Sequence, residues 1–338
     1  MTTPAMHQQP TPERFFNALN AYELTEAMKA AIELDVFTAV AEGNTTSAMI
    51  AKRCGAAERG ARILCDFLTI HNFLTKQGGH YGLAPDSALF LDRHSSSYVG
   101  SAIEFLLTPR LRECHAHLTE AVRQGGTALG EGMLKHENPD WVKFAKGMMP
   151  MMYRPSEIIA AELRKDGEVH KVLDIAACHG IFGISVAKQN PAAHIYACDW
   201  KPVLEVAQKN AKAMGVADRY HLLPGSAFEI DFGSGYDLAL ITNFLHALDQ
   251  TTCTALMRKV KAALTPGGRV AIAEFVPNSD RVSPPIAAAF SITMLAATPG
   301  GDAYTFAELE RISKDAGFAR VELAPAEIGI NRLVVAHR

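Results

Sequence analysis

The sequence predicts an α/β protein with a Rossmann-like, doubly wound parallel sheet, preceded by a mostly helical region. From about residue 168 the chain alternates between short apolar strand patterns and helical patterns, which indicates βαβ units and a parallel sheet. Residues 12 to about 155 instead carry apolar residues at helical spacing,. We therefore expect a domain boundary inside a helix and predict two domains, 1–155 and 156–338.

The elements of the second domain follow each other in a regular order. Strands are predicted at "KVLDIA", "HIYACD", "YHLLPG", "YDLALITNF", "GRVAIAEF", "RVELAPA" and "RLVVAH",. Helices are predicted at "IFGISVAKQN", "KPVLEVAQKNAKAM", "QTTCTALMRKVKAAL" and "TFAELERISKDAG",. The carboxyl ends of such strands meet at one edge of the sheet, and ligands bind beyond that edge.

The first domain reads as a winged helix. In "TTSAMIAKRCGAAERGARILCDFLTIHNFLTKQGGHYGLAP" a short helix is followed by a turn at Gly55, a second helix with Ile63 and Ile70 on one face, and a Gly-Gly hairpin,. A DNA-binding winged helix needs a basic recognition face, but the second helix offers only Arg59 and Arg62 near its start. We therefore favour a packing or dimerisation module over DNA binding.

Composition narrows the class of protein. The chain has 338 residues, 48% of them hydrophobic, and a formal net charge of −3, so it can bury sizeable cores and carries no general attraction for nucleic acid or anionic membranes. The six cysteines have no CxxC pair or metal spacing, which is typical of reduced thiols. The start of the chain lacks the regions of a signal peptide, and its longest apolar stretch, 286–297, is too short for a membrane span,. We expect a cytoplasmic protein with no metal site and with neither nucleic acid nor membrane as partner.

The turn after the first predicted strand, in "VLDIAACHGIFG", limits the choice of cofactor. A dinucleotide site needs G-x-G-x-x-G, and a phosphate loop needs Gly-Lys-Ser/Thr, which is absent. A turn for S-adenosylmethionine (SAM), written D-x-G-x-G-x-G, fits the register of Asp174, Ala176, Cys178 and Gly180. Ala and Cys are the smallest substitutes with a Cβ, so the backbone still approaches a ligand closely. SAM is therefore the predicted cofactor, and an NAD-linked oxidoreductase is disfavoured.

The next two strands supply further candidates for the cofactor site. Asp199 ends the second strand, where a carboxylate can accept hydrogen bonds from both ribose hydroxyls; the alternative is a helix N-cap. The third strand leads into "GSAFEID", where we expect the ring of Phe228 to border the adenine. Neighbouring residues that we also assign to the cofactor are Phe182, Trp200, Ser226, Ala227 and Asn243.

Three longer blocks carry a resemblance to a known family. The blocks are "AMKAAIELDVFTAV", "NFLHALDQTTCTALMRKVKAALTPGGRVAIAEFVP" and "TPGGDAYTFAELERISKDAGF". With the SAM turn, and in this order, they resemble the class I SAM-dependent small-molecule O-methyltransferases of plants and bacteria over nearly the whole chain. The resemblance implies a seven-stranded SAM-methyltransferase sheet, a winged-helix dimerisation domain, a homodimer and a small-molecule methyl acceptor.

The same resemblance implies the catalytic residues. His246 matches the family's general base, and an imidazole titrates near neutrality and can take a hydroxyl proton; the alternative is a cap of the next helix. Glu274 matches an acid that orients the base; the alternative is a surface acid at a strand end. The family's second flanking Glu falls at Ala303, with Asp302 beside it.

The chain departs from the family pattern at three further places. The acid that binds adenine falls at Ser226, the lysine before the base falls at Thr242, and Ala247-Leu248 replace an Asp-Trp pair. These departures leave the acceptor atom open. The predicted reaction is methyl transfer to a hydroxyl, the alternatives being an S- or N-methyltransferase on the same fold and a non-catalytic, SAM-sensing winged-helix regulator.

We expect the acceptor pocket to lie between the domains, where ligand sites often occur. Methionines adapt to flat or irregular apolar ligands, although most such clusters belong to a core. The residues predicted to contact the acceptor are Met148, Met152, Tyr153, Phe290, Met294 and Thr298.

Overall fold

The computed structural model describes residues 10–134, 138–326 and 328–338. By its internal contacts the chain divides into two compact units, Met1–Gly100 and Ser101–Arg338. This division differs from the expected boundary at residue 155, which lies inside a continuous helix, Asp140–Arg164. That helix packs within the second unit on the helix Ile181–Gln189. Helical periodicity shows that a helix has an apolar face, but not which core that face joins.

The first unit is mainly helical and ends with a hairpin and a short helix. Its elements are α1 (Glu13–Leu19), α2 (Ala21–Glu33), α3 (Val36–Ala41), α4 (Ser47–Cys54), α5 (Glu58–Ile70), β1 (Leu74–Gln77), β2 (His80–Leu83) and α6 (Pro85–Phe90). The helix, turn, helix and hairpin expected from the sequence are all present. Thr46 caps α4, and Gly55 ends it at φ 64°, a backbone conformation that favours glycine.

One face of α5 is apolar but not buried in the single chain. The buried residues of the helix are Ala61, Cys65 and Leu68. Ile63 and Ile70, which the sequence pattern places together, are 43% and 74% exposed. Exposed apolar side chains that form a contiguous patch are a feature of surfaces that bind another protein.

The second unit contains the sheet and the helices that cover it. Its elements are α7 (Ile103–Leu106), α8 (Pro109–Ala116), α9 (Leu118–Gln124), α10 (Asp140–Arg164), β3 (Lys171–Ile175), α11 (Ile181–Gln189), β4 (His194–Asp199), α12 (Lys201–Ala213), β5 (Tyr220–Pro224), β6 (Tyr236–Thr242), α13 (Gln250–Ala263), β7 (Leu264–Glu274), α14 (Pro285–Ala297), α15 (Phe306–Asp315), β8 (Arg320–Leu323) and β9 (Arg332–His337).

Seven strands of the described chain form one sheet in the order β5-β4-β3-β6-β7-β9-β8. The strands β3 to β7 are parallel, and β9 is antiparallel to both β7 and β8. Central parallel strands are buried on both faces, which explains their almost continuous apolar sequences. The predicted doubly wound sheet is confirmed.

Alternate residues of the central strands enter two separate cores. Val172 and Leu240 belong to the core that also contains residues of α10, α11 and α12. Leu173 and Ile241 belong to the core shared with α13 and α15. The helices that follow β3 and β6 thus cover opposite faces, so a crevice opens between the carboxyl ends of these two strands, where such folds bind ligands.

Candidate active site

The turn after β3 has a left-handed backbone at alternate residues. The φ angles of Ala176, Cys178 and Gly180 are 52°, 53° and 74°. This region costs a residue with a Cβ about 1–2 kcal/mol, whereas glycine adopts it freely. Ala176 and Cys178 nevertheless keep the conformation that glycine usually supplies. The shape of the predicted SAM turn therefore survives the loss of two glycines.

The two glycines that remain are required by space, and Gly180 also by its backbone conformation. A Cβ on Gly180 would lie 2.5 Å from the hydroxyl oxygen of Tyr220, and one on Gly183 would lie 2.6 Å from Oδ2 of Asp174. Both distances are shorter than a carbon atom tolerates. The turn thus lies directly on the side chains beneath it.

Asp174 is fully buried beneath this turn. Its Oδ2 accepts a hydrogen bond from the backbone N–H of Gly183 at 3.2 Å. Its Oδ1 has no hydrogen-bond partner among the residues that the structure describes. Burial, which disfavours the charged form, raises the pKa of Asp174 to about 8,. The carboxyl group therefore favours its neutral form, and Oδ1 is a buried oxygen without a hydrogen-bond partner among the described residues.

Asp199 ties the turn to the end of β4. Its Oδ2 accepts from the N–H of Cys178 at 2.8 Å, and its Oδ1 accepts from the N–H of Trp200 at 2.7 Å. A carboxylate has about four acceptor sites, so two of them stay available for donors such as ribose hydroxyls. Burial raises the pKa of Asp199 to about 6. Asp199 therefore holds the turn by a hydrogen bond and still has acceptor sites for a ligand.

The loop after β5 is held by a lysine of α13 that is not among the predicted site residues. The Nζ of Lys259 on α13 donates to the carbonyl oxygens of Ala227 at 2.9 Å and Ile230 at 2.6 Å. Ser226 Oγ accepts from the N–H of Phe228 at 3.2 Å, and the Phe228 side chain is exposed. Lys259 was not predicted from the sequence, because one lysine in a helix with several has no distinguishing pattern.

His246 and Glu274 form a close pair at the carboxyl ends of β6 and β7. These strands are neighbours, with Thr242 opposite Ala273, so the residues that follow them meet. Nδ1 of His246 lies 2.6 Å from Oε2 of Glu274. Oε1 of Glu274 accepts from the backbone N–H groups of Phe244 at 2.9 Å and His246 at 3.2 Å.

This geometry defines the chemistry that the imidazole can perform. An ionised carboxylate only accepts hydrogen bonds, so Nδ1 carries the proton and Nε2 keeps a lone pair for another proton. Glu274 is 1% exposed, which excludes a surface acid at a strand end. Asp249, not His246, caps α13 by accepting from the N–H groups of Thr251 and Thr252. Both structural alternatives for the pair are therefore excluded.

The segment that carries Ala303 runs beside His246. Gly301 packs so closely on the carbonyl oxygen of His246 that a Cβ would not fit there. Ala303 is fully buried and provides no polar group. The neighbouring Asp302 accepts from Arg281 at 3.1 Å. Among the described side chains, Glu274 is thus the acid that is paired with the imidazole.

The residues predicted to contact the acceptor lie on α10 and α14. Met148 and Tyr153 are half-buried, and Met152 is buried. The Nδ2 of Asn243 lies 3.9 Å from the Sδ of Met152, and Oδ1 of Asn243 accepts from Asn331 at 2.8 Å. The structure therefore brings a predicted cofactor residue and a predicted acceptor residue together. Asn331, in the turn before β9, was missed because isolated asparagines are common in turns.

Two other predicted residues, Thr298 and Phe182, have mainly structural contacts. The Thr298 hydroxyl donates to the carbonyl oxygen of Met294 at 2.7 Å and accepts from the N–H of Gly301 at 2.9 Å. Phe182 packs in the core below the turn. Trp200 precedes the first residue of α12.

The two remaining residues predicted to contact the acceptor lie on α14. Met294 is buried, and Phe290 lies against His246 with 4.9 Å between the ring centroids.

Comparison with known proteins identifies the family. The model of the O-methyltransferase domain matches residues 115–319, and that of the O-methyltransferase dimerisation domain matches residues 16–93. A crystal structure from Nostoc punctiforme, provisionally assigned as an O-methyltransferase, is 52% identical, has a TM-score of 0.95, and is matched over 98% of this chain and 100% of its own.

Two more distant proteins agree with this family. The 3-hydroxy-5-methyl-1-naphthoate 3-O-methyltransferase of Streptomyces sahachiroi is 27% identical over 302 residues, which are 88% of this chain and 86% of that protein. Human N-acetylserotonin methyltransferase in complex with SAM is 19% identical, has a TM-score of 0.85 and is matched over 99% of both chains; at this identity the likeness concerns the fold. Because the catalytic family model covers more than half of the sequence, the chain belongs to the O-methyltransferase family.

Proposed function

We propose that this SAM-dependent O-methyltransferase uses His246 as the general base that removes a proton from a phenolic hydroxyl of a small aromatic acceptor. The observation that carries the proposal is the 2.6 Å contact between Nδ1 of His246 and Oε2 of Glu274. It leaves Nε2 as the basic nitrogen of a ring that is held at Nδ1.

The residues proposed to hold SAM surround the turn after β3. The backbone at Ala176, Cys178 and Gly180 has the left-handed conformation that such a turn needs. Asp199 has two acceptor sites left for the ribose, and the exposed ring of Phe228 lies on the next loop. When bound, SAM supplies an electrophilic methyl group attached to a sulfonium.

His246 and Glu274 then act on the hydroxyl of the acceptor. A hydroxyl is a weak nucleophile until its proton leaves, and a positioned base contributes about 10²–10⁴-fold to such a step. Nε2 of His246 takes this proton. Glu274 keeps the ring in the correct tautomer and stabilises the positive charge that forms on it. The buried contacts of the pair exclude water, which strengthens their electrostatic interaction.

An aromatic acceptor is supported by the candidate contact residues and by one relative. Met148, Met152 and Met294 provide adaptable apolar contacts, and Tyr153 and Phe290 provide rings,. The Streptomyces sahachiroi relative acts, by its name, on a hydroxynaphthoate. We propose an acceptor of this kind, a flat phenol.

The proposed assembly is a homodimer formed by the first unit. Its support is the match to the dimerisation domain over residues 16–93 and the exposure of Phe15, Phe16, Ile63 and Ile70. We also propose a cytoplasmic location, in agreement with the six free cysteine thiols,. As a separate finding, no helix of the described ranges has the length and apolar sequence needed to cross a membrane.

A screen of acceptors tests the proposed function. Purified protein and SAM with a labelled methyl group are incubated with matched phenols, thiols and amines, and the methylated atom is identified by mass spectrometry and NMR. The proposal expects transfer to a phenolic oxygen. Transfer confined to thiols or amines would contradict it.

A further inference from the structure

His246 has a second neighbour of fixed geometry, the ring of Phe290. The two ring centroids are 4.9 Å apart, and the ring planes meet at 85°. Phe290 in turn stacks on Phe275, with centroids 4.0 Å apart and planes inclined by 18°. Phe275 lies farther from the imidazole, at 6.1 Å between centroids. The rings of His246, Phe290 and Phe275 form one cluster, and His246 also contacts Glu274.

These distances decide which part of Phe290 touches the imidazole. Separations of 4.0, 4.9 and 6.1 Å are those of a nearly right-angled triangle with its right angle at Phe290. Because Phe275 covers the face of Phe290, His246 must lie near the plane of the Phe290 ring, at its edge. A separation of 4.9 Å between perpendicular rings fits an edge against a face. Phe290 therefore presents its edge to the face of the imidazole.

The contact between Phe290 and His246 restrains a rotation of the imidazole ring that the hydrogen bond to Glu274 alone restrains weakly. The χ2 torsion of histidine is broad, so the ring can swing about its Cβ–Cγ bond. The hydrogen bond from Nδ1 to Glu274 holds one corner of the ring. An aromatic edge is positive and an aromatic face is negative, so Phe290 both attracts the imidazole face and blocks its rotation.

The scaffold keeps Phe290 in this place. Phe275 directly follows Glu274 at the end of β7, and Phe290 lies on α14. The connection between them is held by Arg281, which donates to Asp302 at 3.1 Å and to Glu308 at 2.5 Å. Glu308 is itself part of the capping box of α15. The loop that brings Phe290 to His246 is thus anchored by two ion pairs.

We propose that Phe290 is a positioning residue for the catalytic base, rather than only a wall of the acceptor pocket. The inference rests on the proposed role of His246 and deepens it. Glu274 fixes Nδ1, and the edge of Phe290 fixes the plane of the ring, so that Nε2 is aimed at one point. The buried Ala303, which lies on the segment beside His246, offers the imidazole no third restraint.

A double-mutant cycle between Phe290→Leu and His246→Ala tests the proposal. A reacting group displaced by about 1 Å can cost about 10²-fold in rate, so Phe290→Leu is expected to lower kcat about 10- to 100-fold in the wild-type background. The KM for SAM should not change. In the His246→Ala background, Phe290→Leu should have no further effect on the residual rate, because the residue acts through the imidazole.

Two controls accompany the cycle. Phe275→Leu removes the stack on Phe290 without removing the ring that touches the imidazole, so it should give the same kind of loss at a smaller size. Ile292→Ala changes an exposed residue of the same helix, α14, and should leave kcat unchanged. Thermal melts of every variant separate loss of rate from loss of fold.

The outcomes distinguish this inference from the proposed function. Equal loss from Phe290→Leu in both backgrounds would make Phe290 an acceptor contact and overturn the inference alone. An unchanged kcat for a folded Phe290→Leu variant would also overturn the inference alone. If His246→Ala itself keeps wild-type kcat, the general base and the inference both fail.

Discussion

Gly180→Ala tests whether the turn after β3 has the shape described here. Gly180 has a φ of 74°, so alanine would be strained by its backbone alone. The added Cβ would also lie 2.5 Å from the hydroxyl oxygen of Tyr220 and 2.9 Å from the Cβ of Ala207. The substitution therefore combines conformational strain with overpacking at a fully buried position.

The size of the effect follows from these two contributions. Left-handed backbone costs about 1–2 kcal/mol, and overpacking costs about 1–3 kcal/mol. Alanine also lowers the conformational entropy of the unfolded chain, which offsets the loss of stability by about 0.4–1 kcal/mol. The free energy of unfolding should fall by roughly 1–5 kcal/mol, and Tm by about 2–4 °C for each kcal/mol in a domain of this size.

Urea unfolding and thermal melts measure the loss, and a second substitution apportions it. The Tyr220 hydroxyl has no hydrogen-bond partner within the described ranges, so Tyr220→Phe alone should change stability little. In the double variant it should recover part of the overpacking cost and none of the backbone strain. Ala176→Gly, which relieves strain at a φ of 52° in the same turn, should be neutral or stabilising. A Gly180→Ala protein as stable as the wild type would refute this account of the turn.

Three further predictions concern the cofactor, pH and assembly. Asp199→Ala removes a charge-assisted ribose contact worth about 1.5–3 kcal/mol, so calorimetry should show S-adenosylhomocysteine binding weakened about 10- to 150-fold; unchanged affinity would exclude Asp199 from the site. The pKa of Asp174 is raised from 3.8 to about 8, so its contribution to stability is full below about pH 4 and is lost as pH rises to about 8. Between pH 5 and pH 8 the carboxyl of the unfolded wild-type chain is ionised while the folded one stays largely protonated, so Asp174→Asn, which has no such pH-dependent loss, should gain in Tm relative to the wild type over this range; parallel Tm profiles would contradict the assignment. Ile70→Asp places a charge on the exposed apolar face of α5 and should shift light-scattering mass from dimer to monomer, whereas the already polar Arg59→Gln should not; a dimer that survives Ile70→Asp would move the interface elsewhere.

The sheet and the approximate position of its edge were predictable because local chemistry dictates them. Apolar strands such as "YDLALIT" are buried on both faces, and β3, β4, β6 and β7 are each followed by a helix,. That order places Asp174 near the end of its strand and Asp199 and Glu274 at the ends of theirs. The contact between His246 and Glu274 was expected only through resemblance, since no local pattern joins residues on two strands.

The remaining features depend on contacts between distant segments. The helix α10 carries an apolar face, but the sequence does not say that this face packs beside α11 within the second unit, so the boundary was expected at residue 155 instead of residue 100. The edge of Phe290 on His246 needs α14, β7 and Arg281 in place together. Lys259 and Asn331 have no distinguishing sequence pattern at all. Such residues are found only once the backbone has brought them together.

The role of His246 is tested by the kcat of His246→Ala with the true acceptor, measured beside the variant's affinity for S-adenosylhomocysteine. General-base catalysis by His246 predicts that kcat falls by about 10²–10⁴-fold, while the affinity for S-adenosylhomocysteine stays within a factor of about two, since the loss of a proton acceptor leaves the cofactor contacts intact. Glu274→Gln should lose less kcat, because it removes only the partner of Nδ1. A folded His246→Ala enzyme that keeps more than about a tenth of the wild-type kcat would contradict general-base catalysis by His246.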